Sequence, residues 1–507
     1  MTFISNKRPK TNSVFHSTQL GFTTWYIALG VFVIALFFGG WLLWRVNATA
    51  HRISLDNNTT SPWQTLSQLT TPEKNPSETL HHDDQGIINI LLLGIAGVHQ
   101  PGNLLTDTII VLRLDTVNHR VGLLSIPRDL FVPIGDSTSP STKINALYPI
   151  GNNEGKGVAY TEQAVSLVTG LPIHYFVVAN FNGFQQVVDA IGGVSIYVER
   201  DLYDARYPGP NYSYEIFSIT QGWQTLDGAT ALKYARERHN DPEGDFGRAK
   251  RQQVILQAVR EKILSAKTLA NPFAMNQLLN ALGDNVRTNI AQDEIPAFLE
   301  VARTLDTHTI PTAVIDAWKP DSILRVVHIP TDSGVAMFAL TPRTGNWNET
   351  RDLASNIFDL DILKRHQSAI ATEQPKIDII NRSGHTDYGD RLRQLLTTQL
   401  GFTNVQTIPD PSKAAAQDQS VIYDYTNGVK PWSLDSLIKK FPFTLNPSTD
   451  QSPLSNSKSS TTTNTSSSKN TPDFLLVLGS NMQSVFQYQE ASKEEYQQQA
   501  DTMDNNN

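Results

Sequence analysis

Residues 87–94 read IINILLLG, a continuous apolar run stopped by a glycine. An apolar run without polar alternation is a strand buried on both faces, and such a strand needs cover on both sides of its sheet. Two further strands are expected at 107–115 (DTIIVLRLD) and 120–126 (RVGLLSI), joined across the polar turn 116–119. Helix-like stretches (161–169, 184–191) then alternate with strand-like ones (173–178, 194–198), and 313–316 and 325–329 add strands further on. The pattern predicts an α/β domain with a central mixed sheet flanked by helices. Ligand sites in such domains gather in loops at strand ends. Asp107 opens one strand, Arg128 and Asp129 close another, and Lys143, Ile144 and Asn145 lie in a following loop. A local salt bridge is the plainer reading of Arg128 and Asp129.

The stretch 234–253, YARERHNDPEGDFGRAKRQQ, sets Arg236, Arg238, Arg248 and Arg251 within a few turns of chain. Guanidinium groups are planar and permanently charged, so converging arginines suit a ligand with two or more phosphates. Arg236 and Arg238 share a face only where the backbone is extended, which puts a helix end near Ala235. From Gly247 a new helix is expected, with Arg248, Arg251 and Ile255 on one stripe and its N-terminus attractive to anions. Glu237, Asp241, Glu243 and Asp245 lie among the arginines, so a solvated, salt-bridged patch stands beside the phosphate reading.

The chain has 507 residues, enough for about three domains, and a net charge of −8. That balance argues against nucleic-acid binding through bulk electrostatics. There is no cysteine, which excludes disulfides, thiolate metal sites and cysteine catalysis. Residues 22–44 are uncharged and mostly apolar, long enough to cross a bilayer as a helix, with Trp25, Tyr26, Trp41 and Trp44 at its ends. Lys7, Arg8 and Lys10 before it favour a cytoplasmic tail at 1–21, giving a single-pass cell-membrane anchor with the bulk outside. A cleaved signal peptide is the alternative, since Ala48-Thr49-Ala50 resembles a cleavage site. Residues 45–85 have the composition of a flexible linker.

LLLG at 91–94, TDT at 106–108, SIPRD at 125–129, KIN at 143–145, FNGFQQVVDAIGGV from Phe181, LDGATALKYARERH from Leu226 and GDFGRAKRQQ from Gly244 follow in order. Together they closely resemble the LytR–CpsA–Psr family of bacterial envelope proteins. The resemblance implies an extracytoplasmic phosphotransferase, over residues 86–358, that moves a glycopolymer from a polyprenyl-pyrophosphate carrier to peptidoglycan, using Mg²⁺. It implies Asp107 as the magnesium-side carboxylate and catalytic roles on pyrophosphate for Arg128, Arg236, Arg238 and Arg248. Asp129, Lys143, Asn145 and Arg251 are the adjoining substrate-binding candidates. Two positions depart from the family pattern. Ala96 stands where an aspartate is usual and Leu105 where an arginine is usual, so a polyprenyl-phosphate-binding protein without chemistry, or a regulator, is the alternative. His99 lies in the same loop.

After a linker at 359–374, residues 375–480 read as a small C-terminal α/β domain: a strand KIDII at 376–380, a turn NRSG, an amphipathic helix at 388–400 and strands at 421–425 and 474–478. It resembles the LytR-type domain that accompanies some members of the family. Residues 446–471 are expected as a disordered Ser/Thr/Asn-rich insertion and 481–507 as a disordered tail. The boundary at Pro375 predicts that the chain up to Gln374 folds and binds ligand on its own.

Overall fold

The structure, a computed structural model, describes residues 79–492 and 495 apart from 98–103, 137, 210–212, 238–240, 242, 264, 266–267, 269–270, 307–309, 318–321, 332–333, 335 and 456–470. The expected tail 1–21, membrane helix 22–44 and most of the linker lie outside the described residues, as do His99, Arg238 and the middle of the 446–471 run. No helix among the described residues is long and apolar enough to cross a membrane.

Strands β1 (Ile87–Ile95), β2 (Thr106–Asp115) and β3 (Arg120–Ser125) form an antiparallel meander, Ile87 opposite Asp115 and Ile110 opposite Ser125. A short hairpin, β4 (Phe131–Pro133) and β5 (Ser141–Lys143), follows β3. β6 (Tyr175–Asn180) runs parallel to β1, with Asn180 level with Ile95. β7 (Val194–Val198) pairs with β10 (Gly222–Leu226), and β8 (Leu202–Pro208) forms a hairpin with β9 (Tyr214–Ile219), two two-stranded sheets apart from the first. β11 (Val286–Thr288) and β12 (Thr312–Val314) complete a mixed six-stranded sheet in the order β11-β6-β1-β2-β3-β12. Both faces of the central strands are covered, as their apolar runs require. Leu91, Leu93, Ile109, Val111 and Leu124 face one core, with Val165 and Val168 of the helix Ala159–Thr169 and Ala354 of the helix Asn348–Ser355. Ile88, Ile90, Leu114 and Val121 face the other, against Val301 of the helix Ile295–Thr304.

The helices Phe181–Ala190, Gly228–Arg236, Gly244–Ile263 and Pro272–Asn285 pack with β7 to β10 around a second core that includes Val188, Ile196, Phe217, Tyr234 and Ile255. β13 (Leu324–Ile329) and β14 (Met337–Pro342) pair antiparallel beside β4. The C-terminal domain is a five-stranded sheet in the order β16-β15-β19-β17-β18, built from β15 (Lys376–Asn381), β16 (Asn404–Thr407), β17 (Ser420–Asp424), β18 (Phe443–Asn446) and β19 (Phe474–Leu478). The helix Asp361–Glu373, expected as part of a linker, belongs to it: Glu373 accepts bonds from Trp432 N (3.0 Å) and Ser433 N (2.7 Å), capping the helix Pro431–Lys440.

Three expected boundaries move, each because a few apolar or charged side chains find partners that composition does not display. Leu80, inside the expected linker, is buried against Ile88, Tyr175 and Val301. In the expected insertion, Ser452 is buried and Leu454 packs against the Tyr423 and Leu475 cluster, so residues 446–455 are part of the domain. In the expected disordered tail, the helix Gln483–Phe486 is followed by β20 (Gln489–Glu490), which pairs with β13 of the first domain, Glu490 opposite Val327.

The two domains are joined more firmly than a boundary at Pro375 implies. Arg343 donates Nε and Nη2 to Glu349 (2.9 and 2.8 Å) and Nη1 to Gln399 O (2.9 Å), and Lys440 pairs with the same Glu349 carboxylate. Asn346 and Asn348 donate to Lys440 O (2.7 Å) and Lys439 O (2.6 Å), the open carbonyls of a helix end. Gly345, at φ +76°, lies with its Cα face on Ser484 O, where a Cβ would stand 2.5 Å from that oxygen.

Within the C-terminal domain the NRSG turn is clamped by a bidentate pair, Arg382 Nε to Asp410 Oδ2 (2.8 Å) and Nη2 to Oδ1 (3.0 Å). The Arg382 hydrogen bonds, against an opposing effect of burial, hold the Asp410 carboxyl down to about 2. A carboxyl depressed by folding stabilises above its unfolded value of ~3.9, and that contribution is lost as pH falls from about 4 to about 2. Asp410→Asn is therefore expected to melt below the wild type at neutral pH, with the gap closing between pH ~4 and ~2. A pH-independent gap in thermal melts counts against this account of the pair.

Candidate functional site

β1, β3, β6 and β12 run in the same direction, and their carboxyl ends lie at one end of the sheet, where β2 begins. This is the position at which open α/β sheets hold ligands, because loops diverge there and leave a crevice. Asp107 is the second residue of β2, and Arg128 follows β3 by three residues; Arg128 Nη1 donates to Asp107 Oδ1 at 2.8 Å. Asp129 lies between two cations, Lys143 Nζ at 2.7 Å from Oδ1 and Arg128 Nε at 3.6 Å from Oδ2. Asn145 N donates to Arg128 O (3.2 Å) and Thr106 Oγ1 to Asn145 O (3.3 Å), so the hairpin end and the start of β2 are tied to the same corner. Asp107, Arg128, Asp129, Lys143 and Asn145 are thus one contiguous group. The local salt bridge does exist, but it spans three loops and leaves the Asp107 side chain about 31% exposed.

The arginine stretch arrives from the second core. The helix Gly228–Arg236 ends at Arg236, and the next begins at Gly244. Arg248, Arg251, Ile255 and Val259 form the buried stripe that their spacing predicts. Two anchors aim this helix at the sheet end: Phe246 packs in the core with Leu93, Ile126 and Leu130, and Gln253 donates to Ser125 Oγ (2.9 Å) and Ala313 O (3.1 Å). Arg248 lies between those anchors on the same helix. Arg236 stands over the Phe181 ring, 4.7 Å from its centroid, and Phe181 starts the helix that follows β6.

Arg251 departs from the expected role. Its guanidinium donates to Tyr234 O (3.0 Å), Glu237 O and the Asp241 carboxylate, so it fastens the loop between the two helices instead of facing ligand. Asp241, fully buried, also takes Arg200 Nη2 and Glu243 N, each at 2.9 Å, and fills the space where a Cβ at Gly247 would go. Glu243 pairs with Lys250. Of the acids interspersed in the stretch, Asp241 is taken by Arg200 and Arg251 and Glu243 by Lys250, while Arg236 makes no ion pair among the described residues.

Tyr207, on β8, was not among the expected site residues. Its hydroxyl is buried without a hydrogen-bond partner among the described residues, the ring centroid is 5.9 Å from the Arg236 guanidinium, and burial pushes the phenol up to about 12. An unmet buried hydroxyl is costly, and beside a guanidinium it can donate to an anion. Nothing in ARYPGP distinguishes this tyrosine from a packing residue; only the hairpin geometry does.

No group of three or more His, Asp or Glu side chains among the described residues could hold a metal ion. Ala96, where the family usually has an aspartate, is a buried methyl. Mg²⁺ commonly binds through one or two carboxylates plus phosphate oxygens and waters, so Asp107 fits the ion in company with a phosphate ligand, not as a preformed cage.

The LytR_cpsA_psr family profile matches residues 57–325, which ends short of the C-terminal domain. A polyisoprenyl-teichoic acid–peptidoglycan teichoic acid transferase TagU of Oceanobacillus iheyensis is 32% identical over 236 residues, 46% of this chain and 68% of that protein. The Bacillus subtilis transferase TagV is 34% identical over 231 residues, 45% of this chain and 56% of that protein. The crystal structure of B. subtilis TagV aligns with 55% of this chain and 99% of its own at 28% identity, with a TM-score of 0.42. With a profile match across more than half of its length, the chain belongs to the LytR_cpsA_psr family.

Proposed function

We propose that the protein is a membrane-anchored phosphotransferase of the outer cell surface, joining a glycopolymer carried on polyprenyl pyrophosphate to peptidoglycan. The observation that carries this reading is the meeting of Arg128 and Asp107 at the sheet end with the helix that bears Arg248, held there by Gln253 on Ser125. The transferase names of the TagU and TagV relatives support it. In the step, an acceptor hydroxyl oxygen bonds to the sugar-side phosphorus, the bond from that phosphorus to the bridging oxygen breaks, and polyprenyl phosphate leaves with that oxygen. The hydroxyl proton passes to solvent. Reactions of this kind depend on positioning and charge neutralisation. Arg128, Arg236 and Arg248 hold and neutralise the phosphates, Lys143 and Asn145 line the approach, and Asp129 orients Arg128 and Lys143. Asp107, in company with the phosphates, would hold a Mg²⁺, which would supply further neutralisation. Arg238 joins this set on the family pattern alone.

The reading includes an anchor at residues 22–44, which protease added to intact cells tests by cleaving the chain beyond it, and a LytR-type identity for the C-terminal domain. Release of polyprenyl phosphate from a carrier-linked saccharide, dependent on peptidoglycan and Mg²⁺, is the expected activity. Tight carrier binding with no release favours the second reading, a carrier-binding protein, which Ala96 and Leu105 motivate. Tyr207→Phe is expected to leave thermal stability equal or higher while weakening carrier binding roughly 3- to 10-fold, the value of one hydrogen bond of ~1 kcal/mol. Lower stability with unchanged binding would make the hydroxyl structural.

A further inference from the structure

Between the two domains lies a cleft of about 340 Å³, floored by Arg343 and Glu349 and walled by the helices Asn348–Ser355, Asp361–Glu373 and Pro431–Lys440. Its volume falls in the ~300–1,000 Å³ range of small-molecule sites, which favour domain interfaces. One end reaches Asp316, two residues past β12. Ile315 N donates to Ser125 O (3.1 Å), so that end adjoins the segment leading from β3 to Arg128. Trp432, also on the lining, is 44% exposed and its ring sits 4.9 Å from that of His366.

Cations and carboxylates are equal in number along the cleft, and several neutralise one another, Lys440 with Glu349 and Lys439 with Asp435. An ion gains little there. A half-exposed indole in one cleft with carboxylates and amides such as Asp352, Asn356 and Gln367 matches a different chemistry: an aromatic face for the C–H side of a pyranose, and acceptors and donors for its hydroxyls. We propose that this cleft binds an uncharged saccharide, the glycan that presents the acceptor hydroxyl, and feeds its end toward Arg128. The proposal rests on the transferase reading for the name of the ligand, and on the cleft for the site. It assigns the C-terminal domain half of an acceptor subsite, since Trp432 and His366 both come from it.

The source of the sugar separates by charge. Full-length protein in detergent is titrated by calorimetry with a β-1,4-linked N-acetylglucosamine oligosaccharide and with a glycerol-phosphate oligomer. The neutral oligosaccharide is expected to bind, Trp432→Ala to weaken it at least about tenfold, Trp432→Phe to retain most of it, and Trp223→Ala, exposed elsewhere, to leave it unchanged. Oligosaccharide binding that survives Trp432→Ala, its absence from the wild type, or tighter binding of the glycerol phosphate overturns the proposal. Carrier turnover is scored separately in the wild type. Saccharide binding without turnover removes the transferase reading and leaves the site, whereas turnover without saccharide binding does the reverse.

Discussion

Asp107→Ala is expected to reduce Mg²⁺-dependent release of polyprenyl phosphate by about 10²–10³-fold, the usual effect of losing one electrostatic stabiliser of a transition state. Binding is expected to move the other way. In the wild type the Asp107 carboxylate occupies Arg128 Nη1 at 2.8 Å and repels any phosphate brought to the same corner. Its removal frees the guanidinium and deletes the repulsion, so carrier affinity without Mg²⁺ should hold or tighten while Mg²⁺ no longer strengthens it. Arg128→Ala should instead weaken carrier binding with or without the metal, by ~1.5–3 kcal/mol for a charge-assisted bond. Titrations of both variants with and without Mg²⁺ check this. Equal losses of affinity in the two would mean that Asp107 only orients Arg128.

Glu349→Ala is expected to destabilise the whole chain by about 3–5 kcal/mol, because it leaves Arg343 and Lys440 facing each other with no anion. Burial pushes the Glu349 carboxyl up, but Lys440 and Arg343 outweigh it and hold the group below its ordinary range, so the contribution is present at neutral pH and fades on acidification. Apolar replacement of all three residues with similar volumes should recover most of the loss, since an intact buried ion pair and a packed apolar cluster differ little. The same contacts predict failure for a chain ending at Gln374. It loses β20 from the edge of β13, the Glu490 partner of buried Arg325 (3.1 Å), and Lys440 from Glu349. Denaturant unfolding that stays cooperative at the full-length midpoint in the truncated chain would contradict this coupling.

Period and composition carried the fold of each domain separately. A run such as IINILLL has no polar face to turn to water, so a doubly covered strand was its only economical reading, and the observed β1 pairs on both edges and is covered on both faces. The alternation of strand and helix after it specified an α/β domain with helices packed against a central sheet. The spacing of Arg248, Arg251 and Ile255 likewise specified a shared helix face, which is buried.

What those side chains do on that face was not legible. Arg248 and Arg251 are three residues apart and alike in charge and burial, yet Arg251 is bound to the Tyr234 and Glu237 carbonyls and to Asp241, groups that only folding brings to it. Tyr207 could not be told from a packing residue, since its unmet hydroxyl exists only once the β8–β9 hairpin closes beside Arg236. Glu349 and Lys440 are 91 positions apart, and His328 and Gln489 pair across 161, separations at which no local periodicity connects two segments. The amino-acid sequence by itself determined the central strands β1 to β3, the shared face of the arginine helix and the family to which the chain belongs, because these follow from local period and ordered motifs. Tertiary structure alone decided which arginines are struts, where the domains meet and what lines the cleft between them, because each of those depends on groups made neighbours only by folding.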